Sequence, residues 1–120
     1  MSSDFQFEFE SLIVYKKSLL FIKDVYKSTE KFPKAEEFKI TSQFTRASVS
    51  IALNISEGSG GTKPEFRNFL RFAKRSVREC IVCITVSTML NYLTLEQSEG
   101  LRNQCIEISK MLNGLIKSIN

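Results

Sequence analysis

Apolar residues recur at spacings of three and four along most of this chain, and this periodicity constrains the fold more than any other feature. The spacing is that of an α-helix with one buried face, whereas a half-buried strand would alternate every second residue. The longest example ends the sequence, with steps of four and three throughout: Leu101, Cys105, Ile108, Leu112, Leu115 and Ile119. That heptad spacing is typical of a helix in a bundle.

Two capping-box patterns mark the starts of the last two helices. Thr62 precedes Glu65 by three residues, and Thr94 precedes Gln97 by the same distance. In such a box each side chain bonds the other residue's backbone amide. Pro64 falls in the first turn of the first of these helices, where its missing amide hydrogen costs nothing.

The first two helices are bounded by weaker signals. Phe32-Pro33 should end the first helix, because the residue before proline is disfavoured in helical conformation. Thr41 can cap the second, and Gly58 suits a left-handed terminator of it. We therefore predict helices at about 11–31, 41–57, 63–91 and 95–119, joined by short loops.

Four helices with short loops give an all-α, up-down-up-down bundle. With 120 residues the chain fits a single domain, 1–120. An arm of residues 1–10 precedes the bundle, and within it Phe5, Phe7 and Phe9 alternate with polar residues. Period two predicts an extended arm that lies on the body, joins a neighbouring chain or merges into the first helix.

Each of the first three helices has a predicted apolar face. The face of the first is Leu12, Tyr15, Leu19, Ile22 and Tyr26. The face of the second is Phe44, Ala47, Ser48, Ile51 and Ile55, and that of the third is Phe66, Phe69, Leu70, Ala73, Val77, Cys80, Ile81 and Ile84. Val49 and Leu53 point nearly opposite to the second face, which predicts a second packing partner.

Composition excludes most enzyme and metal-site templates. The chain has no His, the commonest general base and metal ligand. Its three Cys do not suggest a secreted disulfide framework, and no signal peptide or membrane-spanning run is visible. We expect a cytoplasmic protein without a metal, a cofactor or a membrane association.

Five basic residues of the third helix form what we call the basic row. They stand at offsets of zero, four, seven, eight and eleven: Arg67, Arg71, Lys74, Arg75 and Arg78. At about 100° per residue all five share one face. A row of cations suits a nucleic-acid backbone, and Arg can grip phosphate in two-point geometry. The alternative is a solvated face paired with acids such as Glu79 or with a neighbouring chain's carboxylates.

The second helix and the loop after it offer weaker candidates. Asn54 is a buried amide that can fix helix register, and Glu57 can pair with Arg46 or cap the loop rather than act in catalysis. The loop opens a helix, so it can hold a phosphate or be a plain flexible turn: Ser59, Gly60, Gly61, Thr62 and Lys63. It lacks the order of a Walker motif.

The cysteines and a second apolar surface complete the candidates. Cys80, Cys83 and Cys105 are interpreted as buried small apolar residues, since a zinc site wants four ligands. Phe72 and Cys83 fall on a face of the third helix that is neither core nor basic. With Val49 and Leu53 they are the predicted oligomer interface; an enlarged monomer core is the alternative.

Several segments in order, from about residue 10 to residue 118, resemble the bacterial four-helix-bundle proteins encoded within intervening sequences of 23S ribosomal RNA genes. They are Leu12-Ile13-Val14-Tyr15-Lys16-Lys17-Ser18, Phe32-Pro33-Lys34, Thr41-Ser42-Gln43, Arg46-Ala47-Ser48-Val49-Ser50-Ile51, Asn54-Ile55-Ser56-Glu57-Gly58, Phe69-Leu70-Arg71 and Lys110-Met111-Leu112-Asn113-Gly114-Leu115. The chain departs from the family's pattern at Thr45-Arg46, at Ala52 and in the apolar run 80–84.

This resemblance implies a left-handed four-helix bundle assembled as a homo-oligomer, with a ring of five favoured. It also implies a relation to the accessory bundle proteins of diversity-generating retroelements, which bind nucleic acid and a reverse transcriptase. Our first functional hypothesis is a non-catalytic bundle that presents the basic row to RNA, DNA or a nucleoprotein partner. The alternative is a protein-binding scaffold or assembly adaptor with no nucleic-acid role.

Overall fold

The computed structural model describes residues 7–119, and within them the chain is all-helical with no strand. The four helices are α1 (Ile13–Thr29), α2 (Ile40–Ser59), α3 (Lys63–Met89) and α4 (Leu95–Ser118). Short 3-10 turns at Glu8–Ser11 and Lys34–Glu36 lie on either side of α1. The predicted all-helical class is confirmed, and each observed bound lies within two residues of the predicted one.

Both predicted capping boxes are present at the starts of α3 and α4. The Thr62 amide donates to Glu65 Oε1 at 2.8 Å, and the Glu65 amide donates to Thr62 Oγ1 at 3.3 Å. The equivalent pair of bonds joins Thr94 and Gln97 at 2.9 and 3.1 Å. Each box satisfies two amides that the first turn leaves without helical partners.

The start of α2 differs from the prediction. The helix begins at Ile40, which packs against the core, and its N-cap residue Lys39 makes no side-chain cap. Thr41 therefore falls inside the first turn, where its Oγ1 is buried and has no hydrogen-bond partner. The prediction that Thr41 caps the helix is wrong.

The end of α2 also differs, because Gly58 lies inside the helix. Gly60 is the C-cap, with a φ of −84°, and no glycine among residues 7–119 has a positive φ. A Cβ atom at position 58 would lie 2.5 Å from Phe69 Cβ and 3.1 Å from Phe66 Cδ1. Gly58 is therefore required for close approach of α2 and α3, and its predicted role as a left-handed terminator is wrong.

The helices pack so that α2 and α4 each contact both α1 and α3. The contact between α2 and α3 is the most extensive, and polar pairs bridge it at two levels. Gln43 Nε2 donates to Glu79 Oε2 at 3.5 Å, and Ser76 Oγ donates to Ser50 Oγ at 2.9 Å. The middle of α3 thus meets the first half and centre of α2, whereas the start of α3 meets the end of α2 at Gly58.

One continuous core lies among the four helices. All five residues of the predicted core face of α2 are buried, as are four of the six in the α4 heptad. The largest fully buried apolar side chains are Phe21, Phe44, Ile51, Ile55, Leu70, Ile84, Ile108 and Leu112. Interdigitation of such branched and aromatic side chains supplies most of the stability of a helical bundle.

The predicted face of α1 is only partly right, because Leu12 and Tyr15 pack against the core but Leu19 and Tyr26 do not. The buried side chains are Val14, Ser18, Phe21, Val25 and Thr29, whereas Leu19 and Tyr26 are 44% and 49% exposed. The buried hydroxyls are satisfied within their own helix, since Ser18 Oγ donates to the Val14 carbonyl oxygen at 2.8 Å. The helix therefore has two partly apolar stripes, and the one with fewer apolar residues packs inward.

The described part of the N-terminal arm folds onto its own chain. Residues Glu8–Ser11 form a 3-10 turn that contacts α1 and α2, so the predicted extended conformation is wrong there. The Phe9 ring meets the Tyr15 ring edge-on at 5.0 Å between centroids and stacks on the Phe7 ring at 5.8 Å. Phe5, the third aromatic residue of the predicted arm, lies outside the described residues.

The three cysteines are free thiols inside the bundle. Burial raises the pKa of Cys83 to about 11 and that of Cys105 to about 12, and it raises the pKa of Cys80 further. Cys83 is only 3% exposed, so its predicted place at an oligomer interface is wrong. The core extends past the predicted apolar stripe on this side of α3, where Ser76 and Ser87 are also buried.

Candidate nucleic-acid interface

The basic row follows the outward side of the first half of α3. Arg71, Arg75 and Arg78 are exposed, and Arg67 and Lys74 are half-buried at its edge. They share one face because the buried residues of α3 occupy the opposite one, from Leu70 to Ser87. The Thr62–Glu65 box determines the residue at which α3 begins. With the helical period, that start determines which side chains of α3 point outward.

The side chains of the basic row lack carboxylate partners. Within residues 7–119 one side-chain ion pair lies under 4 Å, between Lys17 Nζ and Glu107 Oε1 at 3.0 Å. Glu79, the predicted internal partner, instead accepts the weak bond from Gln43. Arg67 Nη1 donates to the carbonyl oxygen of Ile119 at 3.1 Å, a contact that leaves its charge uncompensated. Among residues 7–119 the row is therefore a concentration of positive charge with no carboxylate oxygen within 4 Å.

An aromatic stack supports the middle of the basic row. The rings of Phe69 and Phe72 meet edge-on with centroids 5.6 Å apart, and the Arg75 guanidinium carbon lies 5.3 Å from the Phe72 centroid. The ring face attracts the guanidinium through its quadrupole. We call Phe69, Phe72 and Arg75 the aromatic stack. The sequence analysis missed it, although Phe-x-x-Arg spacing places the two side chains on adjacent turns.

Apolar residues continue the same side of α3 beyond the basic row. Val82 and Met89 lie seven residues apart and are 61% and 71% exposed. Val82 lies four residues after Arg78, and Met89 lies seven residues after Val82. This spacing places both on the same outward side of α3 as Arg71, Arg75 and Arg78. The stripe is thus cationic in the first half of α3, and in the second half Val82 and Met89 flank the exposed Thr85.

The predicted phosphate loop is occupied by its own chain. The Thr62 amide bonds to the Glu65 carboxylate, and the Gly61 amide donates to the Gly58 carbonyl oxygen at 3.1 Å. The Thr62 amide lowers the pKa of Glu65, which therefore stays charged at neutral pH. Ser59 belongs to α2 and bonds the Ser56 carbonyl, while Gly60 and Lys63 are exposed. A carboxylate already holds the helix N-terminus, so these contacts argue against a phosphate site.

The remaining polar candidates of α2 have separate surroundings. Asn54 is half-buried, and its Nδ2 donates to the Ser50 carbonyl oxygen at 2.8 Å and to Ser50 Oγ at 3.1 Å. Ser50 Oγ also accepts the bond from Ser76, so the three side chains form one network between α2 and α3. Arg46 and Glu57 are both exposed and do not pair with each other, so the predicted link between them is wrong.

The predicted oligomer interface is only partly on the surface. Leu53 is 59% exposed and Val49 is half-buried on the outward side of α2. Phe72 is half-buried within the aromatic stack, and Cys83 is in the core as described above. Leu53 and Val49 are therefore the members of the predicted set that lie at the surface with no packing partner shown.

The described residues contain neither a metal-binding cluster nor a membrane-spanning helix. Among residues 7–119 no three His, Cys, Asp or Glu side chains cluster with the geometry of a metal site. No helix in this part of the chain combines the length and hydropathy needed to cross a bilayer. The arrangement that remains is a cationic surface with an aromatic centre and an apolar extension.

Comparison with known proteins agrees with this architecture. A crystal structure from Bacteroides thetaiotaomicron, of a protein of unknown function from the S23 ribosomal protein family, superposes with a TM-score of 0.80. It is 30% identical in sequence, and the alignment covers 88% of this chain and 96% of that one. None of the curated proteins matches the chain. Residues 10–114 match the family profile of the 23S rRNA-intervening sequence protein, and the chain therefore belongs to that family.

Proposed function

We propose that the protein binds RNA, alone or in a nucleoprotein, through the basic row of α3 and carries out no catalysis. The observation that supports this proposal most directly is the absence of carboxylate partners around Arg71, Arg75 and Arg78 within the described residues. Three exposed arginines on one helical face gain affinity for a phosphate backbone by releasing its condensed counterions. Their planar guanidinium groups suit two-point contact with phosphate oxygens.

Such binding would have little sequence preference. Contacts to phosphate position a protein on a nucleic acid, whereas sequence is distinguished by contacts to base edges. The basic row offers guanidinium and ammonium groups at a convex helix surface, without an element that enters a groove. We therefore expect affinity to depend on charge and strandedness more than on the order of bases.

A protein contact is supported by the apolar half of the same stripe. Val82 and Met89 are exposed beside the basic row. Binding to a phosphate backbone does not require exposed apolar side chains, whereas a contact with a protein commonly uses them. This favours a nucleoprotein as the partner, in which α3 contacts both components. The other candidate function is a scaffold that recognises a protein alone, with the basic row used to pair acids of that protein.

We further propose that the chain is a left-handed, up-down-up-down bundle that assembles as a cytoplasmic ring of five. Leu53 and Val49 are retained for the contact between copies, while Phe72 is assigned to the aromatic stack. A ring would carry five copies of the row and so raise the local field. A relation to accessory proteins of diversity-generating retroelements is part of the same proposal.

Charge reversal on α3 tests the proposed function. The double variant Arg71→Glu/Arg75→Glu should lose about tenfold or more in RNA affinity, because it removes two phosphate contacts and adds repulsion. The matched control is Lys16→Glu/Lys23→Glu, which makes the same charge change at exposed positions of α1. Binding is measured by fluorescence anisotropy and assembly by light scattering. Equal losses in both variants would show a net-charge effect without a site, and altered assembly in the α3 variant alone would favour the scaffold.

A further inference from the structure

We infer that the aromatic stack is a site for an unpaired nucleobase, so that the ligand class of the basic row is single-stranded or looped RNA. This inference rests on the proposed function and specifies its ligand. It starts from the position of Arg75, an exposed residue whose guanidinium lies over the Phe72 ring. Unpaired bases stack on aromatic rings and on arginine planes, whereas bases in a duplex are already stacked.

The stack is held rigidly from the core outward. Gly58 leaves room for Phe69 against α2, since a Cβ there would lie 2.5 Å from Phe69 Cβ. Phe69 meets Phe72 edge-on, and Phe72 carries Arg75. A side chain ordered before binding loses less conformational entropy when a ligand arrives. Arg75 therefore differs from Arg71 and Arg78 in having an aromatic ring beneath its guanidinium, which favours one orientation of that plane.

A second set of contacts fixes the backbone beneath the stack. Ser76 Oγ lies 3.3 Å from the carbonyl oxygen of Phe72 and bonds to Ser50 Oγ, which also accepts from Asn54. This network ties α2 to α3 one turn from the ring. The network therefore supports the turn of α3 from which Phe72 and Arg75 extend.

The neighbours of Arg75 supply the phosphate contacts that a stacked nucleotide needs. Arg71 and Arg78 are exposed one turn before and about one turn after it, on the same face. No carboxylate lies within 4 Å of any of the three in the described part of the chain. One base on Arg75, with its flanking phosphates on Arg71 and Arg78, fits this arrangement.

The test compares a single-stranded RNA of about 12 nucleotides with the duplex of the same length, in identical low-salt buffer. The wild-type protein should bind the single strand at least about tenfold more tightly, on the scale of one base stack. Arg75→Lys, which keeps the charge and loses the plane, and Phe72→Leu, which removes the ring, should each abolish that preference. Each variant should lose more affinity for the single strand than for the duplex, because both variants keep the net charge of the basic row.

The matched control is Arg102→Lys, the same charge-conserving change at an exposed position of α4 outside the proposed site, which should retain the preference. Circular dichroism and light scattering establish that each variant is folded and assembled. Equal affinity of the wild-type protein for strand and duplex overturns the inference and leaves the proposed function standing. Failure to bind either probe overturns both.

Discussion

Gly58 determines how closely α2 and α3 can pack at the base of the aromatic stack. Replacing it with Ala would bring a methyl carbon to 2.5 Å from Phe69 Cβ, which belongs to a helix and has little room to shift. We expect Gly58→Ala to lower the free energy of unfolding by about 1–3 kcal/mol, the usual cost of overpacking. Denaturant unfolding of the purified protein measures the difference.

The control for this prediction is Gly60→Ala. At that position the nearest atom to a new Cβ is the Glu57 carbonyl oxygen at 3.9 Å, and φ is already suitable for alanine. We expect stability equal to or slightly above that of the wild type, because alanine restricts the unfolded chain. Equal stability of the two variants would contradict the account of Gly58.

The thiols make a second prediction at this scale. Burial raises the pKa of all three cysteines, to about 11 for Cys83 and about 12 for Cys105, so the reactive thiolate is scarce near neutral pH. Iodoacetamide at about pH 8 should therefore alkylate the folded protein very slowly and the denatured protein quickly. Mass spectrometry follows the modification. Rapid labelling of any cysteine under native conditions would mean that the bundle opens there or that the residue is accessible.

The capping boxes determine where α3 and α4 begin. Thr62→Ala and Thr94→Ala each remove the hydroxyl that accepts the N3 amide, and each should cost about 1 kcal/mol of stability. Thr85→Ala is the control, because that exposed hydroxyl bonds a carbonyl within the helix and caps nothing. Thermal unfolding of the three variants tests this. A control that is as destabilised as the capping variants would show that threonine loss, not loss of a cap, is the cause.

The Thr62 box should also weaken at low pH. The hydrogen bond from the Thr62 amide lowers the pKa of Glu65 in the folded protein. The ionised Glu65 carboxylate therefore contributes fully to stability above the ordinary pKa of a glutamate. This contribution is lost as the pH falls through the lowered pKa of Glu65 in the folded protein. Glu65→Gln should reduce the dependence of stability on pH in that acidic range, and an unchanged dependence would argue against the carboxylate cap.

At the same scale, the sequence predicted some elements well and others poorly for physical reasons. The faces of α2 and α4 were predictable because each has one dominant apolar stripe, as Ile51 and Ile108 illustrate. The face of α1 was not, because Ser18 is buried with its hydroxyl bonded to its own backbone, whereas Leu19 is left outside. A hydropathy pattern treats serine as polar and so does not predict its burial when the hydroxyl is hydrogen-bonded to its own helix.

For the molecule as a whole, the number of helices and the position of the basic row followed from residue spacing. The close contact at Gly58 did not, since a glycine near a helix end has the same local sequence signature whether it terminates the helix or packs inside it. The aromatic stack depends on that tertiary contact, so spacing alone placed Phe72 among the residues of an interface. The missing carboxylate partners of the row likewise required the packed structure.

The central claim is that the outward side of α3 neutralises phosphates, and a salt titration tests it most directly. Affinity for a fluorescent single-stranded RNA is measured across salt concentrations, with the mass of the assembly followed by light scattering in the same buffers. The three exposed arginines predict a log–log slope of about −2 or steeper, and a shallower slope for Arg71→Glu/Arg75→Glu. No binding at low salt while the assembly stays intact would contradict the claim and direct attention to protein partners.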